Sequence, residues 1–161
     1  MIFATVGTQL PFDRLIAALD AWAAAHPQIA VYAQVGCGNY LPSHMAWTRD
    51  MEPAAFRARM AACDTVVAHA GMGSIISGIE LGKRVIVMPR RAALGEHRNE
   101  HQLATVARLS HLRGLEVVHD AAELEAALAY DPGRRESSAP AGADPGLIAA
   151  IRGFAGLEAA T

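Results

Sequence analysis

Residues 65–82 read TVVAHAGMGSIISGIELG and combine three signals of an α/β fold. The apolar run over residues 65–69 has the composition of a strand buried on both faces of a parallel sheet. Gly71 and Gly73 follow this run, and the helical stretch after them ends at Gly82, a residue type that commonly terminates helices. The stretch therefore predicts a strand, a tight turn and a helix in direct succession, which is the repeating unit of a parallel sheet.

The same alternation continues over most of the chain. Strands are predicted over residues 2–6, 29–35, 45–51, 65–69, 85–88 and 115–118, and helices over 12–25, 53–61, 74–81, 99–109 and 121–129. A mobile loop is expected over 131–145 and a last amphipathic helix over 146–157. The expected fold is a single α/β domain over residues 1–161, a Rossmann-like parallel sheet with helices on both faces. In such a sheet, ligands bind beyond the carboxyl ends of the strands.

Composition narrows the classes of function. Of the 161 residues, 52% are hydrophobic and 19% are charged, which is typical of a folded domain rather than a disordered chain. The net charge of -2 argues against a nucleic-acid-binding protein, which would need a basic surface. No apolar run approaches the ~20 residues that a membrane-spanning helix requires.

The start of the chain and its two cysteines favour a cytoplasmic location. Met1 leads directly into an apolar strand, without the charged segment that opens a signal peptide. Cys37 and Cys63 are too far apart to form a CxxC motif. A single disulfide is one option, and two buried thiols in a reducing compartment are the favoured one.

The segment HAGMGS at residues 69–74 is the strongest chemical signal. Its two glycines let the backbone turn tightly and approach a ligand, and Ser74 is predicted to cap the helix that follows. Free amides and the helix dipole at such a start suit a diphosphate. A strand-to-helix turn without a ligand is the alternative. The segment is neither a dinucleotide fingerprint, because Ile76 replaces the third glycine of GxGxxG, nor a P-loop, because no GK[ST] follows.

A second polar segment, EHRNEHQ, covers residues 96–102. Glu96, Asn99 and Gln102 recur every three residues and are predicted to line one side of a helix start. Carboxylate and amide groups of this kind suit the hydroxyls of a sugar, which need paired donors and acceptors. A solvated polar helix start is the alternative.

Two patterns raise the question of a bound metal. His97 and His101 fit H-x-x-E-H, an inverted zinc-protease motif, but no third ligand is identifiable. Asp50 and Glu52 resemble the acidic pair of metal-dependent glycosyltransferases, yet they precede a helix that starts with proline and are predicted to lie at the surface. Neither pattern outweighs the interpretation that the protein binds no metal ion.

Four segments, taken together and in order, resemble the C-terminal domain of family-28 glycosyltransferases. They are VGTQ at residues 6–9, HAGMGS at 69–74, LGKRVIVMP at 81–89 and GEHRNEHQ at 95–102, and the resemblance covers roughly residues 1–130. The small catalytic subunits of split UDP-sugar transferases, from dolichol-linked glycan and bacterial exopolysaccharide synthesis, are the most similar. The resemblance implies a GT-B enzyme that uses a UDP-sugar without a bound metal or other cofactor.

The resemblance also implies which residues bind the donor. The glycine turn and the following helix would hold the diphosphate, with the segment after the first strand facing the phosphates. Larger relatives have a ribose-binding glutamate where this chain has Ser77, and Glu80 lies about one helical turn further on, so either residue is a predicted ribose contact. The implied UDP-sugar-binding residues are Gly7, Thr8, Gln9, His69, Gly71, Met72, Gly73, Ser74, Ser77, Glu80, Glu96, Arg98, Asn99 and Gln102.

The implied reaction is an inverting transfer from a UDP-sugar to a polyprenyl-diphosphate-linked saccharide at the inner face of the cytoplasmic membrane. Met1 opens the first strand of the donor domain, so the acceptor-binding half and the catalytic base are expected on a second, membrane-anchored subunit. Glucuronic acid, galactose and GlcNAc all stay open as the sugar. Arg90, Arg91 and Arg98 raise the option of a donor with a carboxylate, although diphosphate contacts or solvent-facing arginines are favoured.

Two other classes of function are weighed against this one. A nucleotide-sensing or scaffold module without transfer activity is the main alternative. A self-sufficient epimerase or dehydrogenase is disfavoured, because it would need GxGxxG and a Tyr-x-x-x-Lys pair and the chain has neither.

Overall fold

The computed structural model describes residues 1–110 and 114–129. The loop predicted over 131–145 and the helix predicted over 146–157 lie outside these residues. Strands and helices alternate in the order β1 (Ile2–Thr5), α1 (Asp13–Ala25), β2 (Val31–Gln34), β3 (Ala46–Thr48), α2 (Pro53–Ala62), β4 (Thr65–His69), α3 (Met72–Glu80), β5 (Arg84–Met88), α4 (His101–Leu109), β6 (Leu115–Val117) and α5 (Ala121–Ala129). A short 3-10 helix at Ala92–Leu94 lies between β5 and α4.

The six strands form one sheet in the order β3-β2-β1-β4-β5-β6, and every neighbouring pair is parallel. β1 is central, with Phe3 in register with Tyr32 on one side and Val66 on the other. The chain winds outward from β1 in one direction and from β4 in the opposite direction. This topology confirms the predicted Rossmann-like fold and leaves a crevice between β1 and β4 at the carboxyl edge, where such sheets bind ligands.

Alternating residues of the strands face two separate cores, one on each side of the sheet. Ile2 and Ala4 point into the first core, and Phe3 points into the second. Helices α1 and α5 cover the first core, whereas α2, α3 and α4 cover the second. Each large apolar side chain buried in this way stabilises the fold by ~1.5–3 kcal/mol. Fully buried examples are Leu15, Leu19 and Leu124 in the first core and Met60 and Ile75 in the second.

Helix α3 begins earlier than the sequence predicts. The N-cap residue is Gly71, which has no side chain to cap the helix, and Ser74 is the third residue inside α3. The prediction that Ser74 caps this helix is therefore wrong. The reason is a tight turn directly after β4, in which the Gly71 N–H donates to the His69 carbonyl at 2.8 Å. The C-terminal end is as predicted: α3 stops before Gly82, which has a left-handed φ of 65°.

Helix α4 begins at His101 rather than at residue 99. Two carboxylates hold the preceding residues in a loop: Glu96 accepts the Arg91 N–H at 2.9 Å, and Glu100 accepts the Ala92 N–H at 3.1 Å. Glu96 and Asn99 consequently lie in this loop and do not share a helix face with Gln102, so that part of the prediction is wrong.

The two cysteines are free thiols in different environments. Cys63, after α2, is buried as predicted, and burial raises the pKa of its thiol. Cys37 is exposed, which corrects the prediction of two buried thiols. It lies in a turn after β2 whose carbonyls at Gly36 and Gly38 accept hydrogen bonds from Arg49, and this turn leaves the thiol at the surface.

Over residues 1–110 and 114–129, no helix has the length and apolar character needed to cross a membrane.

Candidate functional site

A cleft of about 420 Å³ opens at the carboxyl edge of the sheet, between the segments that follow β1, β4 and β5. It lies beside the point where the winding of the sheet reverses, the usual ligand position in this topology. Its walls are mostly polar. The lining residues are Val6, Gly7, Thr8, Gln9, His69, Gly71, Gly73, Ser74, Arg90, His97 and Gln102.

The cleft brings together predicted site residues from three distant parts of the sequence. The loop after β1 forms one wall, the turn into α3 forms the second, and the first turn of α4 contributes to the third. Parallel strands place their carboxyl ends at one edge, which explains why these segments meet. The predicted residues that line the cleft are Gly7, Thr8, Gln9, His69, Gly71, Gly73, Ser74 and Gln102.

The other predicted residues lie outside the lining of the cleft. Met72 packs against the second core, and Ser77 and Glu80 are half-buried further along α3. Arg98 and Asn99 are exposed in the loop before α4, where the Asn99 side chain accepts the His101 N–H at 3.2 Å. Their contacts with a ligand stay predictions.

The His69 imidazole fills the space that side chains at Gly7 and Gly71 would occupy. A Cβ added at Gly71 would overlap Nε2 of this ring, and one added at Gly7 would come within 2.8 Å of Cε1. Gly7 also has a φ of +73°, which side chains rarely adopt. Because Gly7 and Gly71 have no side chains, the His69 ring fits between the loop after β1 and the turn into α3.

The same ring is held in its neutral form. Its Nδ1 is buried without a hydrogen-bond partner of good geometry. Burial, followed by the nearby Arg90 charge, lowers the pKa of His69 to about 4, and a weak backbone contact with Thr5 acts in the opposite direction. At neutral pH the side chain is therefore an uncharged imidazole.

This depressed pKa predicts a loss of stability in acid. His69 has a pKa of about 4 in the folded chain and 6.5 when unperturbed, so between these values the unfolded state binds a proton that the folded state does not. The free energy of unfolding should fall as pH decreases from 6.5 toward 4. Urea unfolding at several pH values, in wild type and His69→Gln, measures this component as the difference between the two slopes. Equal slopes would contradict it.

Arg90 connects the walls of the cleft. The side chain is only 3% exposed, and its Nη2 donates to the carbonyls of Val6 at 2.8 Å and Leu10 at 2.6 Å. The guanidinium also lies 5.2 Å from the centre of the Phe12 ring. The Arg90 backbone N–H donates to Oε1 of Gln102 at 3.0 Å. One residue thus holds the loop after β1 against the start of α4.

Arg14, on α1, fixes the loop before α4 from outside the cleft. Its Nε and Nη2 donate to the two carboxylate oxygens of Glu96 at 2.7 and 2.9 Å. It also donates to the carbonyls of Pro89 at 3.0 Å and His119 at 2.8 Å. Because both Glu96 oxygens already accept hydrogen bonds, the observed role of this residue is to anchor the loop. A contact between Glu96 and a sugar stays a prediction.

Sequence reasoning left three lining residues out of the predicted site: Val6, Arg90 and His97. Arg90 follows Pro89 at the carboxyl end of β5, where ligands of such sheets bind, and the sequence suggests it only as one of three arginines that could contact a carboxylate or diphosphate. In the sequence, His97 stands out only as part of a zinc-binding pattern. In the structure, its Nδ1 contacts the Asn99 carbonyl. Within the described residues, no group of three His, Cys, Asp or Glu side chains is arranged to hold a metal ion.

Residues 1–135 match the family model for the glycosyltransferase family 28 C-terminal domain. The chain belongs to this family. The match covers most of the chain and confirms the resemblance drawn from the four sequence segments. The cleft described above lies at the carboxyl edge of the sheet of this domain. No curated protein matches the chain.

Two solved structures are similar to this chain. The crystal structure of the glycotransferase of kitacinnamycin is 18% identical, with a TM-score of 0.52, and the match covers 94% of this chain and 37% of that one. The glycosyltransferase SnogD from Streptomyces nogalater is also 18% identical, with a TM-score of 0.48, over 76% of this chain and 32% of that one. The chain spans about a third of the length of each of these two proteins. The first of the two matches supports the fold, which is that of a GT-B glycosyltransferase domain.

Proposed function

We propose that this family 28 domain binds the UDP-sugar donor of an inverting glycosyl transfer, in the cleft between β1 and β4. The observation that carries the proposal is the chemistry of the cleft, which combines a helix N-terminus, a neutral imidazole and a buried guanidinium. All three are suited to the diphosphate of a nucleotide sugar.

The N-terminus of α3 supplies the first of these groups. Gly73 and Ser74, in its first turn, line the cleft. The first amides of a helix have no acceptor within the helix, and the helix dipole favours an anion there by ~0.3–1 kcal/mol. In the transfer reaction, negative charge grows on the departing UDP, so fixed amides at this position stabilise the leaving group without a metal ion.

The catalytic base is proposed to come from a different domain or subunit. No Asp or Glu lines the cleft in the part of the chain that the structure describes. His69 is a weak base because its pKa is only about 4. His97 also lines the cleft, and its Nδ1 contacts the Asn99 carbonyl. These groups fit the leaving-group side of the reaction, and we place the base that deprotonates the acceptor hydroxyl on the other domain or subunit.

The proposed acceptor is a polyprenyl-diphosphate-linked saccharide of exopolysaccharide or glycan synthesis. A membrane-anchored partner subunit would bind it and complete the active site, which places this domain at the inner face of the cytoplasmic membrane. The support is the resemblance of the four segments to split UDP-sugar transferases, together with a cleft whose described lining has groups suited to the donor and no carboxylate.

UDP and UDP-sugars should stabilise the protein against heat, whereas NAD should not. A UDP complex has a diphosphate at the start of α3, and the spacing of the glycines there does not fit a dinucleotide. A thermal-shift series with UDP, UDP-glucose, UDP-GlcNAc and NAD measures this difference. Stabilisation by NAD alone would sink the proposal.

Binding of UDP should be unchanged in EDTA, because backbone amides and side chains contact the diphosphate in place of a metal ion. Calorimetry with UDP, before and after chelation, gives the comparison. A loss of binding in EDTA would bring back the metal sites considered at Asp50 with Glu52 and at His97 with His101.

A further inference from the structure

We propose that Arg90 is an anion-binding residue of the cleft, whose Nε–H donates to an oxyanion of the donor. The proposal rests on the proposed function, since the anion would be part of a nucleotide sugar. Two sources share this chemistry: the diphosphate and the carboxylate of a uronic-acid sugar.

In the part of the chain that the structure describes, the charge of Arg90 has no carboxylate beside it. Its side chain is 3% exposed, yet within the described residues no carboxylate lies at ion-pair distance from it. Arg14 shows the contrast, because both oxygens of Glu96 pair with it. Glu96 acts on Arg90 only at longer range, and its charge is already matched by Arg14. A buried cation without an anionic partner is unfavourable even where carbonyls accept some of its hydrogen bonds, and an anionic ligand would compensate the charge.

Arg90 also has a hydrogen-bond donor that is not used. Nη2 of Arg90 donates to the carbonyls of Val6 and Leu10, whereas Nε is buried and has no acceptor. Buried donors in folded proteins are nearly always hydrogen-bonded. Arg90 is also one of the residues that line the cleft. Because Nε is covered in this structure, we infer that a ligand in the cleft supplies the missing acceptor once the groups beside Nε shift.

The surroundings of this donor favour an anion. The bonds from Nη2 to two carbonyls hold the guanidinium in place, so little freedom is lost when Nε–H binds an anion. The other walls contribute the neutral His69 and the first turn of α3. Arginine hydrogen bonds to phosphate and carboxylate are charge-assisted and stronger than neutral ones.

Calorimetry with inorganic pyrophosphate, UDP-glucose and UDP-glucuronate tests the proposal in wild type, Arg90→Met and Arg90→Lys. Arg90→Met removes the donor, and binding of the affected ligand should weaken ~10- to 100-fold, as for loss of a charged hydrogen bond. Arg90→Lys keeps the positive charge but lacks the Nε–H group, and it replaces Arg90→Met in this test if Arg90→Met fails to fold. Arg57→Met, which removes an exposed arginine on α2, is the matched control and should bind as wild type does.

The ligands distinguish the two anions. If Arg90 holds the diphosphate, all three ligands weaken together. If it holds a sugar carboxylate, only UDP-glucuronate weakens and pyrophosphate binds as before. Wild-type affinity for all three ligands in a folded Arg90 variant would overturn the proposal.

A direct readout separates ligand contact from a role in shaping the loop after β1. The Nε–H signal of Arg90, assigned by its loss in Arg90→Lys, should move downfield when pyrophosphate or UDP-glucuronate is added. Weaker binding in the variants, without any movement of this signal in wild type, would also overturn the proposal. Pyrophosphate binding that depends on Arg90, with no binding of any UDP compound, would instead refute the proposed donor while keeping the anion site.

Discussion

The isolated chain should bind a UDP-sugar yet transfer its sugar to a lipid-linked acceptor at close to the background rate. The cleft provides groups for the donor, but within the described residues no carboxylate lines it that could deprotonate the acceptor. Positioning of the two reactants accounts for ~7–11 kcal/mol of a barrier. A general base contributes a further ~10²–10⁴-fold in rate. Loss of both should remove nearly all of the activity.

A single-turnover assay with radiolabelled UDP-sugar and a polyprenyl-diphosphate saccharide measures this directly. Calorimetry on the same sample controls for donor binding. Adding a membrane-anchored acceptor subunit should restore transfer. Efficient transfer by the chain alone would disprove dependence on a partner, and donor binding without transfer even in the complex would favour a nucleotide-sensing or scaffold module.

Gly71→Ala should abolish most donor binding, whereas Gly73→Ala should leave the fold intact. The new methyl group at position 71 overlaps Nε2 of His69. The ring cannot move toward Gly7 to avoid it, because the ring is already close to Gly7. The ring must then move into the cleft, at a cost of ~1–3 kcal/mol in stability for overpacking. At Gly73 a Cβ meets no atom within 4 Å. Alanine there should stabilise α3 by up to ~1 kcal/mol.

Urea unfolding and UDP calorimetry on the two alanine variants give the comparison. The double variant Gly71→Ala with His69→Ala is the rescue control, because removing the ring makes room for the methyl group and should return the stability lost to overlap. Gly73→Val should bind UDP less well while staying folded, since its side chain projects beside the cleft. Equal UDP affinity in wild type and Gly71→Ala would contradict the packing described for His69.

The parts of the molecule that follow from local sequence were predictable. The apolar runs of β1 and β4 identify buried parallel strands, and the glycines after β4 mark the turn into α3. Because parallel strands end at one edge, the meeting of Gly7 with His69 also follows from the fold class. The start of α4 could not be predicted in this way. It depends on Glu96, which is held by Arg14 across 82 positions of sequence.

Arg90 illustrates the same limit from another direction. As part of a run of two arginines before a polar loop, it resembles a surface residue in sequence. Its burial depends on the carbonyls of Val6 and Leu10, which are 84 and 80 positions away. Helical and strand periodicities describe residues that are close in sequence. They therefore do not predict which distant carbonyl accepts a hydrogen bond from a guanidinium.

The central position of β1 has a consequence for biosynthesis. This strand leaves the ribosome before every other element described, yet its neighbours in the sheet are β2 and β4, and β4 begins at Thr65. At ~5–20 residues per second, the 60 residues from Thr5 to Thr65 take roughly 3–12 s to synthesise. Throughout that interval at least one hydrogen-bonding edge of an apolar strand is open, which makes the nascent chain a natural client for chaperones that shield such edges.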